Sequence, residues 1–207
     1  MPTKNLDKYS QVKPSIAFPS EKNRRQMFCE SRVEVGALLE LEFDSSVKRY
    51  VTQPDSYSYT RDGHKLRYTP DVLCQGVDGS YWYEEIKNWE GANSKGFEAD
   101  FLFLNDLFQQ EIGYPLRLRV SEAPHNCVWR GNLQFLYRFI GHAFEDLVYQ
   151  SLTTIRNPET VGEVFQRLGP DKFSLVSIWA ALAQGLLEFE PFRKIDLQTK
   201  VWGATND

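Results

Sequence analysis

The sequence predicts a mixed α/β domain followed by a small helical domain of the winged-helix type. Residues 29–128 carry helix-like and strand-like patterns in the order helix, strands, helix, strand, which favours a mixed sheet flanked by helices. Residues 129–207 change to helices separated by a turn and then two short strands, the outline of a winged helix. We expect an extended basic arm over residues 1–28 to precede both.

The composition indicates a protein of the reducing cytosol. Its three cysteines are far apart and form no CxxC or Cys/His cluster, so neither a disulfide framework nor a structural zinc site is expected. The sequence has no apolar leader and no run of membrane length, so no membrane partner is expected. A formal net charge of −4 argues against a chain that binds nucleic acid unaided, and it predicts recruitment by a partner.

The predicted arm contains three prolines and little periodicity, which is typical of an extended segment. Basic side chains outnumber acidic ones in it, and Lys22, Arg24 and Arg25 belong to this excess. A solvated tail and an arm that contacts DNA phosphates both remain open as interpretations.

The first helix is predicted over residues 31–42. Its apolar positions recur on one helical face, as in a helix that packs on a core: Val33, Ala37, Leu38 and Leu41. Ser31 with Glu34 three residues later predicts a capping box at its start.

Strands and a second helix follow in the core domain. The strand-like segments are residues 47–52, 56–60, 65–68, 71–75 and 80–87. Asp62-Gly63 and Asp78-Gly79 predict turns between them. A helix over 97–111 and a strand over 116–120 close the domain, and residues 121–131 are expected to be irregular.

The C-terminal part is predicted to begin with one long helix over residues 133–155. Two shorter helices and two strands follow, at 160–168, 173–184, 186–190 and 199–202. Because basic and acidic residues balance in this region, we expect the winged helix to dock on protein rather than on DNA.

The segment with the most chemical information is residues 68–89. Asp71 follows a proline, and Glu85 and Lys87 stand two apart on a predicted strand, where side chains i and i+2 share a face. The intervening turn can bring Asp71 beside Glu85. Two carboxylates near an ammonium suit Mg²⁺, with Mn²⁺ as a substitute, and the lysine could orient or deprotonate an attacking water or stabilise a phosphate.

The pattern of Asp71, Glu85 and Lys87 arises often by chance and also suits a solvated strand face. Neighbouring residues strengthen the prediction of a nuclease. Glu34 supplies a third carboxylate, although Glu30 on the same helical face competes for that role. Gln53 ends a strand before a proline, just ahead of the site hairpin, and Lys95 is placed to meet a DNA backbone. No spacing in the sequence indicates a zinc enzyme, a nucleotide-binding loop or a nucleophile elbow.

Taken in order, these motifs resemble the N-terminal catalytic domain of the TnsA family. The matching segments lie within residues 18–120 and read FPSEKNRRQMFCESRVEVGALLELEFDSSVKRYVTQP, YTPDVL and YEEIK. Members of this family are endonuclease subunits of heteromeric transposases in Tn-seven-like elements, including CRISPR-associated transposons. The resemblance implies a PD-(D/E)xK core with the fold of type II restriction endonucleases.

The resemblance also implies the roles of individual residues. Glu34, Asp71 and Glu85 would be metal-binding carboxylates, Lys87 the catalytic lysine, and the peptide carbonyl of Ile86 a further metal ligand. Gln53 would be a structural or substrate-orienting residue beside the site, with packing in the core as the alternative. The chain would hydrolyse DNA at the 5′ ends of a transposon, while a DDE-type transposase, TnsB, acts on the 3′ ends. The C-terminal domain would dock on the AAA+ regulator TnsC.

Two alternatives remain beside this expectation. One is a stand-alone restriction, repair or junction-resolving nuclease of the same fold, which the acidic net charge disfavours. The other is a catalytically silent adaptor between transposase and regulator, which the intact set of Glu34, Asp71, Glu85 and Lys87 disfavours.

Overall fold

The computed structural model describes residues 15–121 and 127–204, without the side chain of residue 172. In these ranges the strands are β1 Ile16–Ser20, β2 Arg25–Cys29, β3 Val47–Thr52, β4 Tyr57–Arg61, β5 His64–Tyr68, β6 Val72–Gly76, β7 Tyr81–Lys87, β8 Leu116–Val120, β9 Glu159–Thr160, β10 Leu187–Phe189 and β11 Lys200–Gly203. The α-helices are α1 Arg32–Phe43, α2 Trp89–Ala92, α3 Phe97–Leu107, α4 Cys127–Leu136, α5 Asp146–Thr153, α6 Val161–Leu168 and α7 Lys172–Ala183. No helix within the described ranges has the length and apolar character that a membrane crossing requires.

A four-stranded mixed sheet lies at the centre of the first described range. Its strand order is β3-β6-β7-β8, with antiparallel pairing up to β7 and parallel pairing between β7 and β8. Parallel neighbours need a crossover connection, which the chain makes through α2 and α3. The predicted mixed α/β architecture, a mixed sheet flanked by helices, is confirmed.

Helix α1 covers one face of this sheet. It begins where predicted, because the Ser31 hydroxyl accepts the main-chain N–H of Glu34 at 3.2 Å and caps the first turn. Its buried side chains, Leu38 and Leu41 among them, pack against Tyr50 and Cys74 of the sheet. This face is therefore a closed hydrophobic core.

Residues 16–29 form a hairpin rather than an extended arm. Strands β1 and β2 pair antiparallel over their full length, and Phe18 and Met27 are buried in the α1 core. The prediction of an extended arm is therefore wrong for this stretch, because alternate side chains give it a buried face. The rest of that predicted arm, residues 1–14, lies outside the described residues.

A buried carboxylate holds the turn of this hairpin. Glu42 of α1 accepts the hydroxyls of Ser20 and Tyr50, each at 2.6 Å, and the main-chain N–H groups of Glu21 and Lys22 at 3.0 and 3.1 Å. A buried carboxylate is tolerated when its oxygens are satisfied in this way. The hairpin turn is thereby tied to the helix and to β3.

The opposite face of the sheet is partly covered by the β4–β5 hairpin and by α3, which continues as a π-helical turn over Phe108–Ile112. The ring of Phe108 lies with its centroid 5.1 Å from those of Tyr57 and Tyr83. The predicted turn at Asp62-Gly63 is confirmed, with φ of 52° and 77°. Two-residue hairpins favour this left-handed pair.

The second described range has a hydrophobic core of its own. A three-stranded antiparallel sheet in the order β10-β11-β9 packs with α5, α6 and α7 around buried side chains such as Leu152 and Ile178. Thr160 and Asp171 cap α6 and α7 by accepting main-chain N–H groups at 3.2 and 2.7 Å. The two predicted shorter helices and two predicted strands are therefore present.

The prediction of a single helix over residues 133–155 is wrong. Helix α4 ends at Leu136 and passes into a 3₁₀ turn over Tyr137–Phe139, and α5 starts only at Asp146. Gly141 lies in the interruption, and glycine has low helix propensity. The apolar side chains of this segment still reach the second core, so burial satisfies the pattern without a continuous helix.

Candidate active site

The start of β6 places Asp71 beside residues 84–86 of β7. Val72 pairs with Glu84, and the main-chain N–H of Asp71 donates to the Glu84 carbonyl at 3.1 Å. The N–H of Ile86 donates to Oδ2 of Asp71 at 2.7 Å. The Asp71 carboxylate is thus fixed at the strand end by a main-chain donor of the neighbouring strand.

Strand alternation separates the side chains of β7 into two sets. Glu85 and Lys87 share the partly open face, whereas Glu84 and Ile86 are buried toward α1. The buried Glu84 carboxylate accepts Nη2 of Arg119 at 2.8 Å and Nε1 of Trp82 at 3.0 Å. Glu84 is therefore a satisfied structural residue, and Glu85 is the carboxylate presented beside Asp71.

Two side chains hold Glu85 in place. The ammonium of Lys87 forms an ion pair with one carboxylate oxygen, and the hydroxyl of Tyr68 donates to the other. The Tyr68 ring stands edge-on to Phe108, with centroids 5.7 Å apart. Sequence reasoning did not single out Tyr68, although its position three residues before Asp71 in a predicted strand was visible.

The electrostatics of the site favour a cation. Burial raises the pKa of Asp71 to about 7, and the Glu85 charge adds to this effect, while the Ile86 N–H and Lys87 oppose it. Burial and the Glu85 charge also raise the pKa of Tyr68, so the phenol stays protonated and donates its hydrogen bond. Two carboxylates in a half-buried site repel each other until positive charge is supplied.

Glu34 lies near this pair without joining it. Its carboxylate accepts the Ser31 hydroxyl at 2.8 Å and the main-chain N–H of Glu30 at 2.9 Å. The predicted capping box is therefore only half formed, because Ser31 caps the helix but the Glu34 carboxylate reaches the N–H of Glu30 rather than that of Ser31. Its charge contributes to the raised pKa of Asp71. In residues 15–121 and 127–204, no three His, Cys, Asp or Glu side chains are grouped closely enough to hold a metal ion.

The donor set of Asp71 and Glu85 nevertheless fits Mg²⁺, which takes one or two carboxylates and keeps several waters. The carbonyl of Ile86 lies on the same strand edge as its N–H, because both main-chain groups of one residue point to the same side of a strand. That N–H faces Asp71. Oxygen atoms of Asp71, Glu85 and Ile86 are therefore within one small region.

The residues predicted to contact DNA have different environments. The Lys22 ammonium donates to the carbonyls of Asp44 and Val47, and burial lowers its pKa, so it acts as an internal brace rather than a free phosphate contact. Arg24, Arg25 and Lys95 are exposed.

Gln53 has a main-chain role at the site. Its side chain is exposed, its φ of 50° is left-handed, and its N–H donates to the carbonyl of Asp71 at 2.9 Å. Gln53 therefore joins the end of β3 to the residue that carries the site.

Comparison with known proteins gives no match to this chain, either among protein-family models or among curated sequences.

Proposed function

We propose that the chain is a Mg²⁺-dependent DNA endonuclease with a PD-(D/E)xK core and a C-terminal winged helix, and that it is a TnsA-like subunit of a cut-and-paste transposase. The single observation that carries the nuclease proposal is the position of Asp71 beside Glu85, with Lys87 on the same face of β7. This is the arrangement that the PD and ExK motifs require. The subunit assignment is supported by the order of motifs along the chain.

In this proposal Asp71, Glu85 and the Ile86 carbonyl hold Mg²⁺, and Glu34 joins them if its capping contacts are exchanged. The bound ion would supply positive charge to the phosphate and acidify water. The chain's own residues then have separate tasks. The N–H of Ile86 orients Asp71, Tyr68 orients Glu85, and the Lys87 ammonium stabilises the negative charge of the phosphodiester or positions the attacking water.

The C-terminal proposal is supported by the order β9, α6, α7, β10, β11, in which two helices joined by a turn precede a strand pair. Winged helices share this outline. Balanced charge along the region favours a protein partner over DNA. We propose the TnsB-type transposase and the TnsC-type AAA+ regulator as partners from the resemblance.

The test is cleavage of transposon-end DNA in Mg²⁺, with and without the partner transposase, by the wild type and Asp71→Ala. Cleavage that needs the partner and disappears in Asp71→Ala is the expected result. Cleavage by the isolated chain would indicate a stand-alone nuclease. Cutting at the 5′ ends that persists in Asp71→Ala would overturn the site assignment and leave an adaptor role.

A further inference from the structure

A groove of about 580 Å³ opens beside β3, the outer strand of the mixed sheet. Its described lining includes Lys22, Arg24, Arg25 and Arg49, and no Asp or Glu occurs among those described residues. The whole chain carries a formal charge of −4. A concave surface whose charged residues are all basic concentrates positive electrostatic potential, although the net charge of the protein is negative.

The fold brings three arginines together at this groove. Arg49 on β3 pairs in register with Gln75 on β6, and its Nε donates to the Gln75 side chain at 2.6 Å. The β1–β2 turn is fastened to the same strand, because the Tyr50 N–H donates to Oδ1 of Asn23 at 3.1 Å. Arg24 at the end of that turn and Arg25 at the start of β2 line the same groove as Arg49.

The three guanidinium groups are available to a ligand. Arg24, Arg25 and Arg49 are all exposed, and no ion pair joins any of them to a carboxylate in the described parts of the chain. The Lys22 ammonium is instead used by main-chain carbonyls. Of the basic side chains in the groove, the three arginines are therefore the ones that can bind an anion.

The groove and the candidate active site share one face of the sheet. Side chains alternate along β6, so that those of Leu73 and Gln75 lie on the face away from α1, whereas those of Val72 and Cys74 are buried toward α1. Leu73, Cys74 and Gln75 all line the groove. From Gln75 back to Asp71 the chain rises about 13 Å, at about 3.3 Å per residue. For a duplex whose axis runs along β6, one strand rises about 3.4 Å per nucleotide, and this separation then corresponds to about four nucleotides.

We propose that this arginine groove binds the phosphate backbone of DNA about four nucleotides from the phosphodiester held at Asp71 and Glu85. The proposal rests on the proposed nuclease function and names the surface that positions its substrate. Planar guanidinium groups bind phosphate oxygens through two parallel hydrogen bonds, so three of them fix the path of a strand without reading its sequence.

The test measures binding of the full chain to a fluorescent 30-base-pair duplex of arbitrary sequence in EDTA, as a function of salt concentration. Removing three phosphate contacts lowers the slope of log K against log salt by about 2.7, at about 0.9 per contact. We therefore expect R24Q/R25Q/R49Q to bind the duplex at least about tenfold more weakly at 50 mM salt. The slope of log K against log salt should become shallower by about 2.7. The variant R24K/R25K/R49K retains the charge and should keep the slope.

A matched control removes the same charge elsewhere. Arg156, Arg193 and Lys200 are exposed in the C-terminal region, and R156Q/R193Q/K200Q should leave the slope within about 1 of the wild type. Equal slopes for wild type and R24Q/R25Q/R49Q, or an equal loss in the C-terminal control, would overturn the proposal.

Failure of the groove and failure of the nuclease give different results. Hydrolysis does not occur in EDTA, so a chain that never cleaves but shows the slope difference loses the nuclease assignment and keeps the DNA-binding groove. Cleavage by the wild type with unchanged binding by R24Q/R25Q/R49Q rejects the groove alone. If the triple variant is unfolded by circular dichroism, R49Q and R24Q/R25Q are measured separately, with slope losses of about 0.9 and 1.8.

Discussion

The main-chain N–H of Ile86 donates to the carboxylate of Asp71 across the β6–β7 pair, at 2.7 Å. The contact ties the orientation of a half-buried carboxylate to the backbone of the strand that carries Glu85 and Lys87. It opposes the rise in the Asp71 pKa without cancelling it, because burial and the Glu85 charge are the larger causes.

The first prediction concerns pH and Asp71. Its folded pKa of about 7 lies above the ordinary value of 3.8, so the unfolded chain ionises first as pH rises. The free energy of unfolding should therefore fall between pH 4 and pH 7 and stay low above it. Asp71→Asn removes this loss, and its stability relative to wild type should rise by on the order of 2–4 kcal/mol between pH 4 and pH 8, at about 1.4 kcal/mol per pKa unit.

Urea unfolding in EDTA, followed by tryptophan fluorescence, measures this difference. Asp78→Asn is the control of opposite sign. Hydrogen bonds from Ser80 lower the pKa of Asp78, so its contribution is present at neutral pH and lost as pH falls through its folded pKa. Parallel pH curves for wild type and Asp71→Asn would contradict the prediction.

The second prediction separates the two possible roles of Glu34. Glutamine keeps an acceptor oxygen for the contacts with the Ser31 hydroxyl and the Glu30 N–H, so Glu34→Gln should change the free energy of unfolding by less than about 0.5 kcal/mol. A metal-binding role requires the negative charge of Glu34. If Glu34 has this role, Glu34→Gln should lower the cleavage rate more than about 100-fold, a larger loss than removal of a residue that only hydrogen-bonds to a metal ligand causes.

Two neighbouring variants make the Glu34 test specific. Ser31→Ala removes the cap and should cost about 1 kcal/mol while leaving the cleavage chemistry intact. Glu30→Gln tests the competing carboxylate on the same helix and should cleave normally. If Glu34→Gln cleaves like the wild type, Glu34 is only a capping residue.

The third prediction concerns Tyr68, whose hydroxyl donates to Glu85. Tyr68→Phe removes that donor and keeps the ring on Phe108, so it should cost about 1 kcal/mol of stability. Because Tyr68 positions Glu85 rather than touching the phosphate, we expect Tyr68→Phe to lower the cleavage rate about tenfold. A high Mg²⁺ concentration should recover a large share of this loss.

Tyr59→Phe is the matched control for Tyr68. Its ring packs on Phe103 with centroids 5.8 Å apart, and the change should leave both stability and the Mg²⁺ dependence of cleavage unaltered. A Tyr68→Phe variant with the Mg²⁺ dependence of the wild type would show that the phenol hydrogen bond has no positioning role.

The fourth prediction concerns Asn132, a buried side chain of α4. Its Nδ2 donates to the carbonyls of Pro191 and Arg193 at 2.9 and 2.7 Å, and its Oδ1 accepts the N–H of Ile195 at 3.1 Å. Asn132→Ala leaves these main-chain groups without a partner and should cost on the order of 2–4 kcal/mol.

Chemical denaturation of the full chain measures the Asn132 effect. Asn93→Ala serves as control, because Asn93 is exposed and its side chain makes a local bond to the carbonyl of Trp89 at 2.7 Å. A cost for Asn132→Ala no larger than that for Asn93→Ala would exclude the clamping role.

Local periodicity explains how much of the site was predictable. Asp71, Glu85 and Lys87 come together because strand alternation and the turn at Asp78-Gly79 are local properties of the sequence. The positive φ at Gly79 fits such a turn. Pairing across one short hairpin needs no knowledge of distant segments.

What was missed depends on distant partners. The hairpin over residues 16–29 packs against α1, and Pro19 and the charged residues of the turn conceal this contact in the sequence. In the sequence alone Lys22 resembles an exposed cation, but in the structure its ammonium donates to the carbonyls of Asp44 and Val47. The break at Gly141 is different, because its cause is the low helix propensity of glycine, and the apolar spacing that continues through it conceals the break.

The hydrogen bond between Asn23 and Tyr50 has a consequence for self-association. Strand β3 is an outer strand of the mixed sheet, and an unprotected outer strand offers main-chain donors on which a foreign strand can add. The side chain of Asn23, in the β1–β2 turn, accepts the main-chain N–H of Tyr50. The charged residues Lys48 and Arg49 precede Tyr50 on the same strand. The turn that carries Arg24 thus also occupies a main-chain donor that strand addition from a second molecule would need.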